Sequence, residues 1–142
     1  MYQRIMVAID RDPGAVQILD EAARIAGCSG GHLCIVHVDT EGDPCRAATV
    51  LEDATRAVAS GVVVDKRLLE ADPYHGVPGI ALAIAAQVDA WQADLLVIGS
   101  ANRHGLERFV IGSVAAQLLS EADTSLLLVR PHKIPNHNKE EP

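Results

Sequence analysis

The sequence predicts an α/β fold in which an open, five-stranded parallel sheet is covered by helices on both faces. Five short apolar runs alternate with segments whose apolar residues recur at the spacing of an α-helix. Each run is continuous rather than alternately apolar and polar, which indicates strands buried on both faces. A chain of 142 residues, of which 49% are hydrophobic, is the right size for one such domain with one core.

The first strand, the first helix and the second strand follow one another closely. Residues 4–10 (RIMVAID) form a predicted strand, and Asp12 followed by Pro13 predicts a helix start with Asp12 as the N-cap. Gly27 lies where this helix is expected to end, and residues 32–38 (HLCIVHV) form the second strand. The helix stripe expected to face the core comprises Val16, Leu19, Ala22, Ala23 and Ala26.

A second helix begins with the same pair of residue types. Asp43 and Pro44 predict its start, Gly61 its end, and residues 62–69 the third strand. The apolar stripe of this helix comprises Val50, Leu51, Ala54, Ala57 and Val58.

The rest of the domain repeats the pattern twice. A loop over residues 73–79 precedes the third helix, residues 94–98 form the fourth strand, and Gly99 follows it. The fourth helix begins at about Gly112, and residues 125–130 form the fifth strand. The inward-facing residues of these two helices are expected to be Ile80, Ala81, Ile84, Ala85 and Val88, then Val114, Ala115, Leu118 and Leu119.

The composition disfavours several functional classes. A net charge of -7 and only four aromatic residues argue against a nucleic-acid binder or a protein attracted to anionic membranes. No apolar run approaches the ~20 residues of a membrane span, and the start of the chain lacks the pattern of a signal peptide. Together with three cysteines that we expect to be reduced, these features predict a cytoplasmic protein. We expect one domain over residues 1–131 and a polar tail over residues 132–142 that is disordered or serves as a docking arm.

The connection after the fourth strand is the most informative segment for function. Residues 100–110 make it about twice as long as the usual ~2–6 residues of a strand-to-helix loop. It ends at Gly112 and Ser113, where free N–H groups at a helix start favour an anion. Gly112 allows a phosphate to approach the backbone, and the Ser113 hydroxyl can donate to it. Positive charge nearby comes from Arg103, His104 and Arg108.

Other kinds of site receive less support. Asp10 and Asp12 are the residue types of the acidic pair in a response-regulator receiver, but that class needs a lysine where the fifth strand ends in Arg130. The six histidines and three cysteines show no zinc-ligand spacing. No nucleophile–base pair is evident either. We therefore expect neither a metal site on the protein nor a catalytic residue.

These motifs, taken together, resemble the universal stress protein family. Its nucleotide-binding members carry a glycine, two residues, a glycine, nine residues, then glycine and serine or threonine. This chain reads Gly99-Ser100-Ala101-Asn102, nine residues over 103–111, then Gly112-Ser113. Residues 5–10 (IMVAID) and 126–131 (LLLVRP) are also similar to the family, and the likeness spans roughly residues 3 to 131.

The resemblance implies a Rossmann-like sheet with strand order 3-2-1-4-5 and an adenine-nucleotide site at the ends of strands one and four. It implies that Asp10 lies near the ribose or adenine and that the backbone at Val38 meets the adenine edge. The residues that would line the ribose and phosphates are Gly99, Asn102, Gly112, Ser113 and Val114, with Arg103 beside them.

The resemblance also implies ATP or AMP as the ligand, with Mg²⁺ held through the phosphates, and a homodimer that pairs through the last strand. Family members act as stress-response regulators more often than as enzymes, although slow ATP hydrolysis or self-phosphorylation stays open. This chain departs from the family pattern at Asn102, in place of the second glycine, and at Arg11-Asp12, in place of a Gly-Ser pair. Arg11 is expected to offset the Asp12 charge. These departures keep an alternative open, a dimeric partner-interaction protein with a vestigial nucleotide site.

Overall fold

Strands and helices alternate along the chain in a computed structural model that describes residues 1–72, 74–100 and 112–131. The strands in these ranges are β1 (Arg4–Ile9), β2 (His32–Asp39), β3 (Val63–Glu70), β4 (Leu95–Gly99) and β5 (Ser125–Val129). The helices are α1 (Ala15–Ser29), α2 (Pro44–Ala57), α3 (Gly76–Trp91) and α4 (Ser113–Glu121). The predicted tail over residues 132–142 lies outside the described residues.

All five strands are parallel and lie in the order β3-β2-β1-β4-β5, which confirms the predicted sheet. The central strand, β1, pairs on one side with β2, where Ile5 is opposite Leu33. It pairs on the other side with β4, where Ile5 is opposite Leu95. The chain therefore winds outward from β1 in one direction and then, after α3, in the other.

The sheet separates two apolar layers. One face packs against α1 and α2 and includes Ile5 and Val7, whereas the other packs against α3 and α4 and includes Met6. These three side chains are fully buried. Because successive side chains of a strand point to opposite faces, burial on both faces requires the uninterrupted apolar run of β1.

The two edge strands are more exposed than the predicted pattern of buried strands implies. Most of the β3 residues are exposed, and those of β5 are only partly buried. On β3, Lys66 pairs with Glu52 of α2, and its ammonium lowers the pKa of the Glu52 carboxyl. Charged residues of this kind are typical of strands at the edge of a sheet.

The predicted helix starts are right for α2 and wrong for α1. Asp43 caps α2, its side chain accepting a hydrogen bond from the Arg46 N–H at 3.1 Å, and Pro44 is the first helical residue. The α1 helix begins at Ala15, not after Asp12. The Asp12 carboxylate instead accepts a hydrogen bond from the Gly14 N–H at 2.8 Å, a turn that competes with helix geometry.

Three further helix boundaries differ from the sequence prediction. The α1 helix continues through Gly27, its predicted end, to Ser29. The α2 helix ends at Ala57, four residues before the predicted stop at Gly61, which lies in the turn that follows with φ +100°. The α3 helix begins at Gly76, inside the predicted loop over residues 73–79. Pro78 is compatible with this early start, because N–H groups in the first turn of a helix need no intrahelical partner.

The inward faces of the helices are correct in most positions, with three errors. Val16 on α1, Ala57 on α2 and Leu119 on α4 are exposed. Val16 and Leu119 lie next to the buried Ala15 and Leu118, and Ala57 is the last residue of its helix. The stripe of helix residues that contacts the sheet is therefore narrower than the apolar pattern of the sequence.

The three cysteines are free, and Cys34 is the buried one. Burial raises the pKa of the Cys34 thiol to about 11, so the thiol stays protonated at neutral pH. Within the described ranges, no helix has the length and apolarity that crossing a membrane requires.

Two neighbouring leucines on α4 provide a test of this packing. The side chain of Leu118 is 0% exposed and that of Leu119 is 63% exposed. We expect Leu118→Ala to lower the free energy of unfolding by about 2–5 kcal/mol because it leaves a cavity. The matched control, Leu119→Ala, should change it by no more than about 0.5 kcal/mol. Urea denaturation of both variants measures the difference, and equal losses would contradict the orientation of α4.

Candidate functional site

A cavity of about 620 Å³ opens beyond the carboxyl ends of β1 and β4, where the winding direction of the chain reverses. Ligands of open parallel sheets bind at this position, and the volume lies within the usual ~300–1,000 Å³ of small-molecule sites. The predicted site residues on its wall are Asp10, Val38, Gly99, Gly112, Ser113 and Val114. The other two, Asn102 and Arg103, lie outside the described residues, as do His104 and Arg108.

The apolar part of the wall comes from helix residues that the sequence analysis did not assign to the site. Ile18 of α1 lies on one side, and Val77, Ile80 and Ile84 of α3 lie on the other. Ile80 and Ile84 were predicted only as core residues. Apolar residues at helical spacing therefore line the cavity as well as the core; Ile84, for example, belongs to both.

The start of α4 forms one end of the cavity. Its N-cap, Gly112, is extended with φ -61° and ψ 152° and supplies no side-chain cap. The first hydrogen bond between described residues of the helix runs from the Ala116 N–H to the Gly112 carbonyl at 2.9 Å. The N–H groups of Ser113 and Val114 therefore have no acceptor among the described residues, which leaves partial positive charge directed toward the cavity.

The loop after β1 places two carboxylates at the rim. Asp10 accepts a hydrogen bond from the Asp12 N–H at 2.9 Å, and Asp12 accepts one from the Gly14 N–H at 2.8 Å. Each bond uses one carboxylate oxygen and holds the side chain in a tight turn. Arg11, the residue available from the sequence to offset the Asp12 charge, pairs with Glu41 in the loop after β2.

Two buried polar residues at the end of β2 flank Val38. His37 donates from Nδ1 to the carbonyl of Ile9, 2.9 Å away on the neighbouring strand. Asp39 accepts hydrogen bonds from the N–H groups of Glu41 and Asp43, at 3.0 and 3.3 Å. Neither residue is among the predicted site residues. The sequence feature that could have indicated them is that both are polar residues in or next to an otherwise apolar strand.

Gly99 has a packing role in addition to its position on the cavity wall. A Cβ atom at this position would lie 2.2 Å from Ile18 Cδ1. The glycine therefore lets α1 approach the end of β4. A second close approach, in which a Cβ atom at Gly14 would lie 2.9 Å from Pro131 Cγ, brings Pro131 to the cavity rim.

In the part of the chain that the structure describes, no group of three or more histidine, cysteine, aspartate or glutamate side chains is arranged to hold a metal ion. The cavity instead combines N–H groups at α4 that have no acceptor within the described ranges with polar residues at the ends of β1 and β2. This arrangement suits a ligand that has an anionic group at one end and a polar ring at the other.

Comparison with protein families gives a match along almost the whole chain. The model of the universal stress protein family matches residues 1–130. One curated relative, universal stress protein A homolog 1 of Coxiella burnetii, is 25% identical over a stretch that covers 90% of this chain and 96% of the relative.

Solved structures give the same result for the fold. A universal stress protein of Archaeoglobus fulgidus in complex with dAMP is 25% identical, with a TM-score of 0.68 and coverage of 89% of this chain and 97% of that one. Another universal stress protein, in complex with cAMP, is 23% identical with a TM-score of 0.71, and the match covers 92% of this chain and 99% of that one. At this level of identity the likeness shows the fold alone.

The contact between Gly99 and Ile18 provides a test of the cavity wall. We expect Gly99→Ala to lower the free energy of unfolding by about 1–3 kcal/mol, because the added methyl group overlaps Ile18 Cδ1. Ile18→Val removes that atom, so the same substitution in the Ile18→Val background should cost less, by at least about 0.5 kcal/mol. A double-mutant cycle by urea denaturation measures this coupling, and strictly additive effects would contradict the contact.

Proposed function

Since the chain belongs to the universal stress protein family, we propose that it binds an adenine nucleotide in the cavity beyond β1 and β4. The observation that carries this proposal is the start of α4 on the cavity wall with no side-chain cap. An anion is the natural partner of such a helix start. A relative 25% identical to this chain was solved with dAMP, which supports an adenine nucleotide as the ligand.

The proposed orientation places the phosphates at α4 and the base at β2. Strands β2 and β4 lie on either side of β1, so their ends are about 10 Å apart at the usual strand spacing of ~4.8 Å. An extended nucleotide spans a distance of this order. In this orientation Asp10 lies beside the ribose and the backbone of Val38 beside the adenine edge.

We propose ATP or AMP as the nucleotide, with Asn102 and Arg103 at the phosphates. In the described part of the cavity wall, Asp10 and Asp12 each keep one carboxylate oxygen that makes no described hydrogen bond. Magnesium is commonly held by one or two carboxylates together with phosphates and water. The residues present therefore fit a Mg²⁺ ion that arrives with the phosphates of ATP.

The role that fits this site is regulation by binding, in a homodimer that forms through β5. Within the described residues, β5 pairs only with β4 and leaves its other edge open. An unpaired strand edge is a template for pairing with a second chain. We place the protein in the cytoplasm, where free thiols such as the exposed Cys28 and Cys45 stay reduced.

A second candidate function is a partner-interaction dimer that has lost nucleotide binding. The observation that favours it is the pairing of Arg11 with Glu41. This pairing leaves Asp10 and Asp12 at the rim without an ion-pair partner among the described residues, and two carboxylates there repel phosphate.

Calorimetric titration of the purified chain with ATP, AMP and adenosine tests the proposed function. We expect micromolar binding of at least one of the two nucleotides and weaker binding of adenosine, since adenosine lacks the group that α4 would hold. No heat signal with either nucleotide up to millimolar concentration would overturn the proposal and favour the partner-interaction dimer.

A proline at the first residue of α4 tests the phosphate position. Ser113→Pro removes one N–H group and the hydroxyl, and it is compatible with both the helix start and the extended Gly112 before it. We expect about a tenfold or larger loss of AMP affinity with little change for adenosine, since a hydrogen bond to a charged group is worth about 1.5–3 kcal/mol. Ser113→Ala, which removes only the hydroxyl, is the matched control and should lose less. Equal losses for AMP and adenosine would place the phosphate elsewhere.

The substitution Asn102→Gly separates the two candidate functions. Restoring the glycine of the family pattern should change ATP affinity little if the natural site already binds nucleotide. A strong gain from an undetectable baseline, measured by the same calorimetry, would instead indicate a site that Asn102 has disabled.

A further inference from the structure

One nitrogen of the His37 imidazole hydrogen-bonds the backbone, and the other has no partner among the described residues. Its side chain is buried, with only 8% of the residue exposed, and Nδ1 lies 2.9 Å from the carbonyl oxygen of Ile9. A carbonyl only accepts hydrogen bonds, so Nδ1 carries the hydrogen and Nε2 of the neutral ring has a free lone pair.

His37 lines the cavity, and its second nitrogen has no hydrogen-bond partner among the described residues. No residue in the described ranges hydrogen-bonds Nε2, yet no fully enclosed side-chain nitrogen or oxygen in those ranges lacks a partner. Nε2 is therefore accessible from the space that His37 lines, which is the main cavity and a side pocket that adjoins it. An acceptor in a largely desolvated position gains most from a ligand that donates a hydrogen bond.

The size and lining of the side pocket indicate what enters it. Its volume is about 30 Å³, the volume that one molecule occupies in liquid water. An amino group fits this space, but a ring does not. Three carboxylate residues line it, Asp39, Glu41 and Asp43, and its two arginines, Arg11 and Arg46, both contact Glu41. Three carboxylates face two guanidinium groups around this pocket, so its net charge is negative and favours a group that donates hydrogen bonds over a carbonyl oxygen.

We infer that His37 is a specificity-determining residue that selects the base, its Nε2 accepting a hydrogen bond from the exocyclic amino group of bound adenine. The inference deepens the proposed function and depends on it, because the base end of the nucleotide lies at β2 only if the phosphates lie at α4. An adenine amino group has two hydrogens, so one remains for the backbone of Val38. Hypoxanthine and guanine carry a carbonyl oxygen at this ring position. The lone pairs of that oxygen would face the lone pair of Nε2, and no hydrogen bond would form.

Two substitutions of His37 separate its two nitrogens. The side-chain amide of His37→Asn occupies the place of Nδ1, so it keeps the contact with Ile9 but supplies nothing at Nε2. His37→Gln places its amide oxygen near the position of Nε2 and keeps an acceptor there. Calorimetric titration of each variant with AMP, purine riboside 5′-monophosphate and IMP measures base selection, and thermal unfolding checks that the variants are folded.

We expect the natural chain to bind AMP about tenfold or more tightly than the purine riboside monophosphate, which lacks the amino group, and than IMP. His37→Asn should bring the three affinities together, whereas His37→Gln should keep the preference for AMP. A preference that persists in a folded His37→Asn variant would overturn the inference and leave the proposed function standing.

The natural chain alone gives a second measurement that does not depend on variant folding. The ¹⁵N resonance of His37 Nε2 should shift on addition of AMP and shift less on addition of the purine riboside monophosphate. Equal shifts, or equal affinities for the two ligands, would overturn the inference alone. Absence of binding by every nucleotide would overturn the proposed function and the inference together.

Discussion

The parallel pairing of β1 with β2 on one side and β4 on the other is the constraint on which the rest of the structure depends. Parallel strands require crossover helices, and here the crossovers place α1 and α2 on one face and α3 and α4 on the other. The helices diverge where the winding reverses, so no described element fills the space beyond the ends of β1 and β4. The cavity is thus a consequence of strand order, and the fully buried Met6 and Val7 hold that order in place.

Because all five strands run in the same direction, every carboxyl end of the sheet leads to the side on which the cavity opens. Three of those ends carry the polar groups of the site. The turn after β1 fixes Asp10, the end of β2 carries His37, and the connection after β4 leads to the start of α4. Within the described residues, the N–H groups at the start of α4 have no acceptor, whereas the end of β2 carries acceptors. The two ends of the cavity therefore differ in electrostatic character, which is the basis for proposing a ligand with a phosphate at one end and an amino group at the other.

Apolar runs and helix starts are local signals, so the residues alone predict the fold class, whereas the predicted order of the strands rests on the resemblance to the family. Asp43 and Pro44 show how local chemistry fixes a boundary, since the cap forms as expected. Asp12 and Pro13 are the same residue types but do not start a helix, because the Asp12 carboxylate accepts a hydrogen bond from the Gly14 N–H in a turn. The packing of Ile18 against Gly99 and the contact between His37 and Ile9 join residues far apart in sequence, so no local pattern could reveal them. The ligand contacts of all eight predicted site residues, Asn102 and Arg103 among them, remain predictions.

The central claim is that a nucleotide phosphate lies against the first turn of α4. An AMP titration followed through the backbone ¹H–¹⁵N resonances of the chain tests it most directly. The account predicts that the amides of Ser113 and Val114 shift strongly with AMP and much less with adenosine, while residues around Val38 shift with both. Saturable binding of AMP that leaves the amides of Ser113 and Val114 unchanged would contradict it.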